Sequence, residues 1–130
     1  MAIVVGSGAL FLGALDFSIN VNLPRFRADL NETLVSVQLI IIMYHGARSG
    51  TGFVAGGIAD RFGIKWPLAA GIVVYTASVG LISLQDSLTP IVALRIPQGI
   101  GVAILFTLAP ALVARAFGPQ RRGAALGVTL

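Results

Sequence analysis

The chain has 130 residues, 56% of them hydrophobic and 11% charged, with a net charge of +4 and a mean hydropathy of +0.92. Soluble domains carry about 25% charged residues, and a fold of this size needs that polar surface to cover its core; a free-standing soluble enzyme or nucleic-acid-binding module is therefore excluded. The absence of cysteine excludes disulfides, thiolate chemistry and Cys-based metal sites. Glycine and proline sit inside apolar runs, and the charged residues are bunched between those runs, which is the composition of a multi-span helical membrane protein. The basic balance reads as loop topology rather than nucleic-acid binding, because no run of Lys and Arg is longer than Arg121-Arg122.

A bilayer core is about 30 Å thick and takes roughly 20 helical residues to cross. Four segments qualify, at about residues 3–24, 33–59, 67–84 and 90–117. The first lacks a basic leader and is too long for a signal-peptide core, so it reads as a retained helix. Asp29 with Glu32 three residues on fits a capping box before the second span. Gly63 suits the left-handed turn that ends it. Pro67 and Pro90 fall where a first-turn proline is tolerated, Thr89 is positioned to cap the fourth span, and Gly118-Pro119 closes it. The apolar stretch 123–130 covers only about 12 Å at 1.5 Å per residue. It reads as the opening of a fifth helix, so the chain is expected to be the N-terminal part of a longer protein. The expected fold is an all-α membrane protein, a bundle of four transmembrane spans plus the start of a fifth.

Short connections make neighbouring spans antiparallel. Arg61, Lys65, Arg115, Arg121 and Arg122 then face one side, and Arg25 and Arg27, offset by Asp29 and Glu32, face the other. The positive-inside rule places the first set, and the N-terminus, in the cytoplasm.

Asp16, His45, Arg48, Arg95 and Gln98 fall within spans. A charge at a helix centre costs about 2.5–3.5 kcal/mol on the insertion scale, so such groups face a protein interior or a wet cavity. At 100° per residue, Gly6, Ala9, Gly13, Asp16 and Asn20 share one stripe, opposite Val4, Phe11, Leu15 and Ile19. Gln38, His45, Ser49, Gly52 and Gly56 share another, with Arg48 at its edge; Arg95, Gln98 and Gly99 cluster on a third. Three small-and-polar faces suggest a bundle around a hydrophilic cavity. The plainer alternative is that these groups only satisfy one another and glue helices together. Intramembrane charge favours function for Asp16, Arg48 and Arg95. His45 can carry a proton or simply make a hydrogen bond.

Residues 56–65 read Gly-Gly-Ile-Ala-Asp-Arg-Phe-Gly-Ile-Lys. This resembles the signature loop of the major facilitator superfamily, G-x-L-A-D-R-x-G-R-K, with Ile64 where the family usually has a basic residue. It falls between the second and third spans, on the side the charges assign to the cytoplasm. Arg95-Ile96-Pro97-Gln98-Gly99-Ile100-Gly101 is similar to the R-x-x-Q-G-x-G motif of proton-coupled members. Residues 15–24, Leu-Asp-Phe-Ser-Ile-Asn-Val-Asn-Leu-Pro, are similar to the first-span motif of drug:proton antiporters, one residue shorter after Asp16 and with Asn22 in place of a small residue. The family's full chain has twelve or fourteen spans.

The resemblance implies a proton-coupled secondary transporter of the plasma (inner) membrane, exporting small organic molecules by alternating access and using no cofactor. It implies that spans 1 and 4 line the cavity; with the polar groups that fall within the spans, this makes Asp16, Asn20, His45, Arg48, Arg95 and Gln98 the candidate cavity and proton-coupling residues. Gly56, Asp60, Arg61, Gly63 and Lys65 would form the cytoplasmic gate. Its partners would be the bilayer, the substrate and protons, and the C-terminal half of the same transporter. Asp60 sits at a helix C-terminus, where the dipole disfavours an anion; Arg61, Lys65 or the N-terminus of another helix is the expected partner. Asp16 is expected to pair with Arg95. Two other readings remain open: a complete four-span multidrug exporter, and a non-transporting membrane subunit. No metal cluster, nucleophile constellation or phosphate loop suggests an enzyme.

Overall fold

A backbone in hydrocarbon must satisfy its polar groups within its own segment, so apolar runs of this length become helices. The computed structural model describes residues 4–12, 34–117 and 121–129. Asp16, Asn20, the Asp29–Glu32 capping box and the Gly118-Pro119 stop lie outside the described residues. Helix α1 covers 4–12. It is followed by α2 (Leu34–Phe62, 29 residues), α3 (Lys65–Ile82, 18 residues), α4 (Leu88–Ala116, 29 residues) and the short α5 (Arg122–Thr129).

Two of the described helices, α3 and α4, are long and apolar enough to cross a membrane, against the four spans expected. The first expected span lies mostly outside the described residues. The second, α2, has the length, but Gln38, His45, Arg48, Ser49 and Thr51 interrupt its apolar sequence. A helix carrying that much polarity does not declare itself a span by hydropathy alone.

The helix ends follow local chemistry. Gly63 takes φ +85°, the left-handed conformation open to glycine, and reverses the chain after α2. Ile64 is buried immediately after it, and α3 begins at Lys65. Pro67 and Pro90 each stand third in their helices, within the first turn, where no intrahelical N–H is lost. Thr89 does not cap α4: the N-cap is Ser87, extended at φ −130°, ψ 151°, and its side chain makes no capping hydrogen bond. Inside α4, Pro97 and Pro110 remove two helical donors, which frees the carbonyls of Ala93 and Phe106 from the ladder.

α4 is the central helix. It is far more buried than α3. Val102, Leu105, Leu108, Ala109 and Val113 are all but inaccessible, and Ala9 and Leu10 of α1 and Leu68 and Tyr75 of α3 join the same core. Val4 and Phe11 stay on the outer side of α1, at 74% and 65% exposure. The α3 tyrosine ties α1 down by donating its hydroxyl to the Leu12 carbonyl at 2.6 Å.

Contacts between α2 and α4 keep one register. Gly99 lies against Tyr44, Thr107 against Gly52, and Arg115 against Asp60. Successive contacts fall eight residues apart on each helix, so α2 and α4 run parallel. α3 runs against them: Gly71 meets Ile104 while Tyr75 meets Gly101, and Ile82 packs near Ile40 and Ile91 at the far end.

Candidate functional site

Two constellations emerge, one at the basic end of the bundle and one halfway along α2. At the basic end, Arg115 Nη2 donates to Asp60 Oδ1 at 2.9 Å, joining the last turns of α2 and α4. Each dipole explains its own member: a cation is favoured at the α4 C-terminus, and the anion disfavoured at the α2 C-terminus needs a cation beside it. Both side chains are more than half exposed, so the pair contributes only about 0.2–1 kcal/mol to stability. The partner is therefore Arg115, not Arg61 or Lys65. Arg61 instead lies 5.6 Å from the Phe62 ring centre. Lys65 opens α3, where no acidic residue in the first turn offsets the dipole. With Phe62, Gly63, Ile64, Trp66, Leu112 and Arg115 it lines a cavity of about 430 Å³. Gly56 stands one turn before Asp60, and a Cβ there would meet nothing within 4 Å.

The mid-helix constellation is built on close backbone approach. A Cβ on Gly99 would lie 2.5 Å from the Tyr44 carbonyl oxygen and 3.1 Å from Ala47 Cβ. A Cβ on Gly101 would lie 2.8 Å from the Tyr75 nitrogen and 3.0 Å from the Gly71 carbonyl oxygen. Two residues subtend about 200° on a helix, so these glycines let α2 and α3 approach α4 from opposite sides.

Arg95 and Gln98 are buried at 2% and 0% exposure. They occupy the interior rather than an open cavity wall, and the Arg95 guanidinium lies 5.9 Å from the Tyr44 ring centre. Arg48 is half-buried at the α2–α4 seam, with its guanidinium 4.7 Å from the centre of the Phe106 ring. His45, Ser49 and Gln38 are exposed. His45 Nδ1 lies 3.0 Å from the Ile41 carbonyl oxygen. Because a carbonyl only accepts, the neutral ring carries its proton on Nδ1 and leaves Nε2 as an acceptor. Ser49 donates to the His45 carbonyl at 2.8 Å and Thr51 to Ala47 at 2.7 Å, so these hydroxyls satisfy themselves on their own helix.

Tyr44, Phe106 and Arg115 were not singled out from the sequence as site residues. Tyr44 and Phe106 read as ordinary apolar bulk. Arg115 had one available signal, its place among the basic residues assigned to the side of the signature loop.

The sequence profile of the Major Facilitator Superfamily matches residues 5–129. The chain is 34% identical over 123 residues to the cephamycin export protein CmcT of Amycolatopsis lactamdurans, covering 92% of this chain and 25% of the relative. It is 30% identical over 129 residues to the tetracenomycin C resistance and export protein of Streptomyces glaucescens, covering 98% and 23%. It is 27% identical over 121 residues to the riboflavin transporter RibZ of Clostridioides difficile strain 630, covering 92% and 26%. The chain thus spans about a quarter of the length of these curated relatives. No solved structure matches it.

Proposed function

The chain belongs to the major facilitator superfamily, and from that premise we propose that it forms the N-terminal part of the transmembrane domain of a secondary transporter. That transporter exports small organic molecules across the plasma membrane in exchange for protons, by alternating access. Superfamily members are transporters rather than enzymes, and two of the three relatives named above carry export in their names. The basic end is cytoplasmic, as is the N-terminus.

The observation that carries this reading is the Asp60–Arg115 pair at 2.9 Å. Its aspartate belongs to the signature segment 56–65, and the pair joins the ends of α2 and α4 at the basic end, where the proposed gate opens and closes. Gly46, Gly50 and Gly57 of α2 have open space at the position of a Cβ, which suits close approach of a helix from the C-terminal half. Asp16 and the interior Arg95 are the coupling pair of this proposal. Opposite charges attract strongly in low dielectric, so a proton or a cation that displaces one member of the pair is the proposed coupling event. Asn20, His45 and Gln98 are the further polar residues of this proposal.

Asp60→Asn in the full-length protein tests the gate. Transport is expected to fall about tenfold or more while membrane insertion and amount stay near wild type. Charge exchange, Asp60→Arg with Arg115→Asp, is expected to recover part of it. Normal transport by Asp60→Asn would contradict the gate.

A further inference from the structure

Arg48 stands midway between Leu34 and Phe62 on α2, at the depth where a charge is most costly in a membrane. It is half-buried, and among the described residues it makes no ion pair and no side-chain hydrogen bond; its contact is with the face of Phe106, 4.7 Å from the ring centre. An aromatic face attracts a cation but accepts none of the in-plane hydrogen bonds that a guanidinium makes with a carboxylate. Phe106 is itself 37% exposed. His45, one turn before Arg48, is exposed; beyond it the exposed face of α2 carries Ser49, whose hydroxyl donates to the His45 carbonyl, and the apolar Ile42, Phe53 and Val54. A mid-depth cation on the polar edge, beside an accessible aromatic ring, has the chemistry of a recognition subsite: charge and fork geometry from the arginine, apolar contact from the ring.

We propose that Arg48 and Phe106 form an anion-recognition subsite that takes the carboxylate, and the adjoining aromatic or apolar ring, of an organic-acid substrate. This rests on the transporter reading above and narrows it to substrates bearing an acidic group. A carboxylate is the matching ligand because it fills the guanidinium fork bidentately, which a neutral amide cannot do. A site whose hydrogen-bonding group matches one ligand discriminates against an analogue lacking it.

The test uses the purified full-length protein and two isosteric probes, 1-naphthoate and 1-naphthamide, with affinity read from ligand-dependent thermal stabilisation. Wild type is expected to bind the acid about tenfold or more tightly than the amide. Arg48→Gln is expected to bring the acid down to the level of the amide and leave the amide unchanged. Arg48→Lys, which keeps the charge but not the fork, is expected to fall between, and it decides the matter if Arg48→Gln does not fold. Equal affinity of wild type for the two probes, binding of neither, or an acid-to-amide ratio unchanged in both variants would overturn the proposal. So would equal loss of both probes in Arg48→Lys, which would mark Arg48 as the partner of a protein carboxylate. Proton-driven transport of other compounds by a wild type that shows no acid preference would leave the transporter reading standing and remove this one.

Discussion

Gly99 and Gly101 carry most of the packing logic of α4 between them. A methyl group on Gly99 meets the Tyr44 carbonyl at 2.5 Å, which is backbone and cannot swing aside. Overpacking of this kind costs typically 1–3 kcal/mol. Gly80, on the exposed side of α3, has nothing within 4 Å of the same position, and alanine there gains helix propensity. Gly99→Ala is therefore expected to lower the thermal midpoint of the detergent-solubilised full-length protein by several degrees, and Gly80→Ala to leave it level or raise it. Equal midpoints for the two variants would contradict the α2–α4 contact. The same residue scale shows what chain order hides. The sequence motif Arg95, Gln98, Gly99 and Gly101 was legible as a motif, but not that Gly101 turns away from its neighbours to meet α3, because facing is set by which helices flank α4.

At the scale of elements, the parallel α2–α4 pair organises the structure. Its constant register places Gly52 beside Thr107, with a Cβ on the former 3.5 Å from the hydroxyl oxygen of the latter. That spacing is compatible with a disulfide once both positions are cysteine. The chain has no cysteine of its own, so Gly52→Cys with Thr107→Cys is expected to cross-link on mild oxidation, seen as a mobility shift after protease cleavage between α2 and α4. Gly52→Cys with Ala93→Cys, on the same two helices but far out of register, is expected not to. Helix existence and the turn at Gly63 were readable because apolar run length and a glycine at a helix end are local signals. Which helix is central was not readable: α3 and α4 are both apolar enough to cross a membrane, and only contact shows that α4 is covered on several sides. The Asp60 partner was missed for the same reason. Fifty-five residues separate Asp60 from Arg115, and no local spacing reports a contact made by two parallel helices ending together. Asp16 and Asn20 were legible by their place in a span and in the motif at residues 15–24, and lie outside the described residues.

At the scale of the whole molecule, charge and register agree on one polarity. Asp60, Arg61, Lys65 and Arg115 gather at the end where α2 and α4 finish and α3 begins, while the α3–α4 turn at the other end carries Asp86 and no basic residue. Single cysteines at positions 121 and 86 of the full-length protein are expected to label oppositely with an impermeant maleimide: 86 from outside the cell, 121 only after permeabilisation. Reversed labelling would invert the topology and place the gate on the wrong side.

The central claim is that the polar edge of α2 borders a water-filled path that the Asp60–Arg115 contact opens and closes. His45→Cys in the full-length transporter tests it most directly, because position 45 is exposed at mid-depth on that edge and a thiol reacts with a charged maleimide only where water reaches it. Labelling rates are measured from each side, in right-side-out and inverted vesicles. The account predicts reaction from both sides, with Asp60→Asn speeding labelling from the basic side and slowing it from the other. Failure of position 45 to react from either side, with or without Asp60→Asn, would place that edge against lipid or protein and contradict the account.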